Sequence, residues 1–201
     1  MTAAPKVVEG ICAWRGSAMA KDPRYRFTLS KEHVAELHIA LESVQTRGLS
    51  WEHMAREDFP LPSLSLKLAE IAEELENGKG LAHLSGLPLS KFGNGLRHVW
   101  FGIGLNLGLP VFQNYNAELM GDIEDRAEDT DSIEGHKLTT LDGNTFLSSK
   151  ARTLSNGILR FHTDRADVAA LLCVRQAKTG GVSRIASSVA VHNETLQREP
   201  E

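Results

Sequence analysis

Apolar positions recur at helical spacing in three places in the first half of the chain. Val34, Leu37, Leu41 and Val44 predict a helix over residues 31–47, with Ser30 placed as its N-cap and Gly48 as its C′ residue. Leu64, Leu68, Ile71 and Leu75, with glutamates opposite, predict a second over 65–76, which Asn77-Gly78-Lys79-Gly80 breaks. Leu96, Val99, Trp100 and Ile103 predict a third over 94–106, ending near Gly108-Leu109-Pro110. Residues 50–62 hold Trp51, Phe59, Pro60 and Pro62 and read as a connector, because each proline disfavours helix for the residue before it. Residues 1–29 show no periodicity and read as an irregular arm that packs through Trp14, Tyr25 and Phe27.

The second half reads mainly as strands. A short strand is expected earlier, at 81–86, and a hairpin over 138–147 with Asp142-Gly143 at its centre. The apolar run Val168, Leu171, Leu172, Cys173 and Val174 suits a buried strand over 167–177. Thr179-Gly180-Gly181 then turns the chain into a further strand at 182–187, and residues 189–198 read as a closing helix. The expected class is α+β, in one domain over 1–201: an arm (1–29), a helical portion (30–110) and a β-rich portion (111–201).

Composition narrows the function classes. The chain has 201 residues, 41% of them hydrophobic, enough for one domain with a sizeable core, and a formal net charge of −4. No basic cluster suggests nucleic-acid binding. Cys12 and Cys173 are far apart, which argues against a disulfide framework or a cysteine-based zinc site. No signal-peptide pattern and no apolar run of membrane-spanning length is present, so a cytoplasmic soluble protein, away from membranes, is expected.

Two motif-like stretches carry no chemistry. Gly102-Ile103-Gly104-Leu105-Asn106-Leu107-Gly108 resembles a dinucleotide loop, but its spacing is wrong and it ends a helix instead of opening one, so close helix packing is expected. The acidic run from Asp122 to Glu134 lacks the glycine and ligand order of a calcium loop and reads as a solvated loop.

The candidate chemistry lies in Leu159-Arg160-Phe161-His162-Thr163-Asp164-Arg165. In an extended segment positions i and i+2 share a face, so His162 and Asp164 would project together. An imidazole and a carboxylate aimed at one point are two of the three ligands of the 2-His-1-carboxylate triad that holds non-heme Fe(II).

From Leu159 to Glu194 the chain resembles the TauD/TfdA family of Fe(II)- and 2-oxoglutarate-dependent dioxygenases. The resemblance rests on Phe161-His162-Thr163-Asp164, the apolar run to Ala177, and Lys178-Thr179-Gly180-Gly181-Val182-Ser183. Ser148-Ser149-Lys150-Ala151-Arg152-Thr153, the helix pair, the 80–89 strand and turn, and Gln113-Asn114 extend it over nearly the whole chain. The resemblance implies a double-stranded β-helix (a jelly roll of the clavaminate synthase-like kind) with flanking N-terminal helices. It implies His162 and Asp164 as iron ligands and Ser183 as the hydroxyl that hydrogen-bonds 2-oxoglutarate. It also implies O₂ as cosubstrate and a small organic substrate, an organic acid, that is hydroxylated.

Family members continue past this point, and their later half supplies a distal histidine, an arginine for 2-oxoglutarate and further strands. The sheet is therefore expected to be incomplete. Three readings follow: a dioxygenase by descent present as an N-terminal portion; a non-catalytic remnant or interaction protein that keeps the half-fold; or an intact enzyme completed by His192 or by a partner's residue. His33, His38, His53, His83, His98 and His136 read as packing or surface residues. Arg160, Arg165 and Arg184 flank the motif and could meet an anionic substrate, though a surface role suffices for each.

Overall fold

The chain buries its core under helices whose ends are set by specific side chains. The structure is a computed structural model that describes residues 6–113, 116–124, 137–139, 141–143, 145–147 and 158–199. It divides into two compact units, Met1–Pro110 with Ala170–Glu201, and Val111–Ala169.

In the first unit, helix α1 (Gly16–Met19) and strand β1 (Arg26–Thr28) precede the long helix α2 (Lys31–Thr46). Ser30 Oγ accepts from the His33 N–H at 3.1 Å, and His33 Nδ1 accepts from the Ser30 N–H at 3.2 Å, a reciprocal cap with histidine in the usual Glu/Gln role. At the other end Gly48 takes φ +63. The Gly48 N–H bonds Gln45 O at 3.0 Å and the Leu49 N–H bonds Val44 O at 3.0 Å, a Schellman closure. Leu37, Ala40, Leu41 and Val44 are buried, as their spacing predicts.

Helix α3 (Leu64–Glu76) buries Leu64, Leu68 and Ile71. Its Ser63 gives no side-chain cap. Glu36 of α2 does that work: its carboxylate accepts from the Ser63 N–H at 2.8 Å and the Leu64 N–H at 2.9 Å. A negative charge at a helix N-terminus is favourable. Burial pushes the Glu36 carboxyl up, but hydrogen bonds from Ser63 and Leu64 prevail and hold it below the usual carboxylate range.

Helix α4 (Leu96–Leu107) buries Val99, Phe101, Gly102 and Ile103. A Cβ on Gly102 would stand 2.3 Å from Phe59 Cδ1, and one on Gly95 would stand 2.6 Å from Leu41 Cδ2. Gly102 thus serves close packing against the fully buried Phe59, as expected of the glycine-rich stretch; Gly104 and Gly108 face open space. Trp51 meets Phe101 edge-on at 5.2 Å.

Strand β2 (His83–Ser85) pairs in parallel with β1, in the register Arg26↔His83, Phe27↔Leu84, Thr28↔Ser85. The 1–29 arm is therefore less irregular than its sequence suggests. Three residues are too few to display alternation, and the partner of β1 lies beyond two helices. In the second unit, β3 (Lys137–Thr139) and β4 (Thr145–Leu147) form the expected hairpin, antiparallel with Leu138↔Phe146, and Gly143 adopts φ +79 in its turn. Helix α5 (Ser188–Arg198) closes the described chain and matches the expected 189–198 helix.

Three expected strands are absent. The segment around 159–165 and the stretches 167–177 and 182–187 carry no strand. Leu171 is 74% exposed and Val182 80% exposed. A strand is made by its ladder to a neighbour. Among the described residues no backbone bond ties 158–186 to another strand, so apolar composition alone does not produce one. The architecture is mixed α and β, with two two-stranded sheets among the described residues. The acidic run beyond Glu124, the Ser148–Thr153 lead-in and His136 lie outside the described residues. No helix among the described residues is long and apolar enough to cross a membrane.

Candidate metal centre

His162 and Asp164 sit in the second unit, on an irregular stretch that bends at 165–167. Their side chains approach each other even without a strand: His162 Nε2 lies 3.9 Å from Asp164 Oδ1. His162 Nδ1 lies 2.8 Å from the Arg160 carbonyl. A carbonyl only accepts, so Nδ1 donates to it and Nε2 is the nitrogen on the side of the carboxylate. Fixing the ring through Nδ1–H on a backbone carbonyl is the usual support of a metal-ligating histidine. Both side chains are more than half exposed, at 57% and 59%, so the pair is open to solvent and to a ligand.

Ser183 belongs to the first unit and follows a turn in which Gly180 and Gly181 take φ +78 and +64. It is exposed, as are Arg160, Arg165 and Arg184. His192 Nε2 lies 3.1 Å from the Lys6 carbonyl and so donates there, which ties its ring to the N-terminal arm of the first unit. The other described histidines are occupied structurally or lie apart. His33 caps α2, His38 stacks on Phe92 at 4.4 Å, and His98 Nε2 bonds Leu49 O at 3.1 Å. His83 is exposed on β2, and His53 ends a short 3-10 turn. Among the described residues no group of three or more His, Cys, Asp or Glu gathers where it could hold a metal.

A polar cluster that the sequence did not reveal lies in the first unit. The Lys79 ammonium, 4% exposed, stands 3.1 Å from Asp22 and 3.4 Å from Glu74. Arg24 clasps the same Asp22 carboxylate, with contacts from 2.6 to 3.0 Å. Hydrogen bonds from the Arg24 side chain and backbone hold the Asp22 carboxyl far below the usual range. No spacing rule links Asp22 to Lys79 across 57 positions.

A family model described as "Taurine catabolism dioxygenase TauD, TfdA family" matches residues 45–201. The chain belongs to this family, an oxygenase family. Among curated proteins it is 30% identical to FR-33289 synthase of Streptomyces rubellomurinus over 200 residues, covering 98% of this chain and 54% of that protein. It is also 30% identical to the taurine hydroxylase-like protein SAT17 of Stachybotrys chartarum over 191 residues, covering 94% of this chain and 47% of that protein. The chain thus spans about half the length of the curated relatives it matches.

Proposed function

We propose that the chain carries part of the active site of an Fe(II)- and 2-oxoglutarate-dependent dioxygenase that hydroxylates a small organic acid. The observation that carries this reading is the His162–Asp164 pair, 3.9 Å apart with the histidine tautomer set by Arg160, in a chain of this family. The donor set fits iron as far as it goes, since a neutral imidazole and a carboxylate are two of the three donors of the facial triad. The two side chains stand 3.9 Å apart and open to solvent, so a side-chain rotation that closes this gap would bring both to one ion. The third donor comes, on this reading, from polypeptide outside the described residues.

When bound, Fe(II) lets one oxygen atom of O₂ enter 2-oxoglutarate as it loses CO₂ to become succinate, while the other enters a substrate C–H bond as hydroxyl. The chain's own residues hold and orient. His162 presents Nε2, with Arg160 O keeping the proton on Nδ1. Asp164 presents its carboxylate from the same side. The Ser183 hydroxyl donates to a 2-oxoglutarate carboxylate. Arg160, Arg165 and Arg184 are the cations available to an anionic substrate. The fold that accompanies this chemistry is the double-stranded β-helix, with which the two small sheets are compatible.

The test is an anaerobic titration with Fe(II) and 2-oxoglutarate. The two-donor site predicts weak Fe(II) binding that His162→Ala or Asp164→Ala abolishes. Unchanged binding in His162→Ala would overturn the site. A strong visible charge-transfer band, with succinate formed on admitting O₂, from the 201 residues alone would overturn the two-donor reading in favour of a complete one.

A specific observation favours a second reading. Leu171, Val174, Val182 and Ile185 are all exposed. A chain with this much uncovered apolar surface suits an interaction role, keeping the half-fold without turnover. Retained self-association in a His162→Ala/Asp164→Ala double variant, with no metal-dependent activity in the parent, is its expected signature.

A further inference from the structure

Helix α5 half-buries its apolar residues Val189, Ala190 and Leu196 and fully encloses none, so apolar packing alone does not fix it to the helical body. Polar bonds to the N-terminal arm do. Its N-cap, Ser187, is buried; it accepts from the Ala190 N–H at 3.0 Å and donates to the Cys12 carbonyl. Asn193 bonds twice to one residue: Oδ1 accepts from the Val8 N–H at 2.9 Å, and Nδ2 donates to Val8 O at 2.7 Å. An amide side chain used in this way pairs with the arm as a neighbouring strand would. His192 Nε2 donates to Lys6 O at 3.1 Å, and Glu194 meets Arg15 at 2.6 Å.

The arm is tied in turn to the body. Trp14 Nε1–H donates to Lys79 O at 2.8 Å, next to the buried Lys79 ammonium that Asp22 and Glu74 hold. Met19 of α1 is buried. Among the described residues, the hydrogen bonds and ion pairs that α5 and its N-cap make outside the helix go to residues 6–15, and they are mostly exposed.

We propose that residues 6–15 form a detachable strap that holds α5 to the helical body and tethers the end of the segment bearing Ser183. Exposed hydrogen bonds contribute modestly in water, because water competes for each group. Regions fixed by few apolar contacts and many solvated bonds open first, as a unit, while a packed core stays closed. Strap and α5 open together, and α2, α3 and α4 remain folded. The proposal stands apart from the iron chemistry and does not depend on it.

Hydrogen exchange by mass spectrometry on the whole chain tests it. Asn193→Ala is expected to speed exchange in 188–198 and in 6–15 by roughly tenfold, with α2–α4 unchanged. Trp14→Phe keeps the apolar ring and removes one donor, and should speed exchange in both the arm and α5. Wild-type exchange of α5 in Asn193→Ala would overturn the proposal. So would acceleration of α2–α4 alongside α5, or an α5 that Trp14→Phe leaves untouched.

Discussion

The helical body and the 158–187 segment are both rich in apolar residues, yet only one of them buries them. In the body, Leu37, Val44, Leu64, Leu68, Val99 and Phe59 are fully enclosed. In the segment, Phe161, Leu171, Val174, Val182 and Ile185 stand in solvent. The difference lies in partners and not in hydropathy. Each body helix meets another helix or the Phe59 turn within the same chain, whereas the segment has no strand beside it among the described residues. An apolar pattern becomes structure only where a second surface completes it.

The sharpest break of this contrast is Phe59→Ala. Removing a fully buried ring beneath Gly102 is expected to cost about 3–5 kcal/mol, read as a large drop in the denaturation midpoint. Gly102→Ala comes next: the added methyl meets the Phe59 ring at 2.3 Å and is expected to destabilise by about 2 kcal/mol. Replacing Phe59 by Leu in that background should recover part of the loss, which a purely conformational effect of alanine would not show.

Glu36→Gln is expected to cost about 1 kcal/mol at neutral pH, since it removes the charge that serves the α3 N-terminus. The sign with pH follows from the depressed carboxyl of Glu36. The stabilisation is fully present above the ordinary glutamate range and is lost as pH falls through the lower folded value. Wild type should therefore lose stability more steeply than Glu36→Gln over that acidic window, and urea denaturation at several pH values reads it.

The smallest effect belongs to the other region. Leu171→Ser should change stability by less than about 0.5 kcal/mol, because the side chain is already exposed, and should raise solubility. A cost like that of Phe59→Ala would show that the segment is packed after all, and the contrast would fail.

What could be read in advance follows the same division. Helices α2, α3 and α4 were legible because each carries its own period and punctuation, down to Ser30 and Gly48. The β3–β4 hairpin was legible from Asp142-Gly143. Strand β1 was not, because Arg26-Phe27-Thr28 is defined by a partner 57 positions away. Glu36 capping α3 and the Asp22–Lys79–Glu74 cluster were hidden for the same reason: long-range polar pairing leaves no periodic trace. At the site, the i, i+2 spacing of His162 and Asp164 did anticipate their approach, although no strand provides it. The Arg160 carbonyl that sets the histidine tautomer was not foreseen, since a backbone acceptor has no sequence signature. The bond of His192 to the Lys6 carbonyl was likewise not foreseen, for the same reason.

The central claim is that His162 and Asp164 are a metal-ligating pair. The most direct measurement is an anaerobic Fe(II) titration followed by paramagnetic broadening of the eight histidine ring signals. The His162 signals should broaden first, those of His192, His98 and His33 should stay sharp at the same Fe(II) level, and Asp164→Ala should abolish the selectivity. Broadening that begins at His192, or that spreads evenly over all the histidines and is indifferent to Asp164→Ala, would contradict the account.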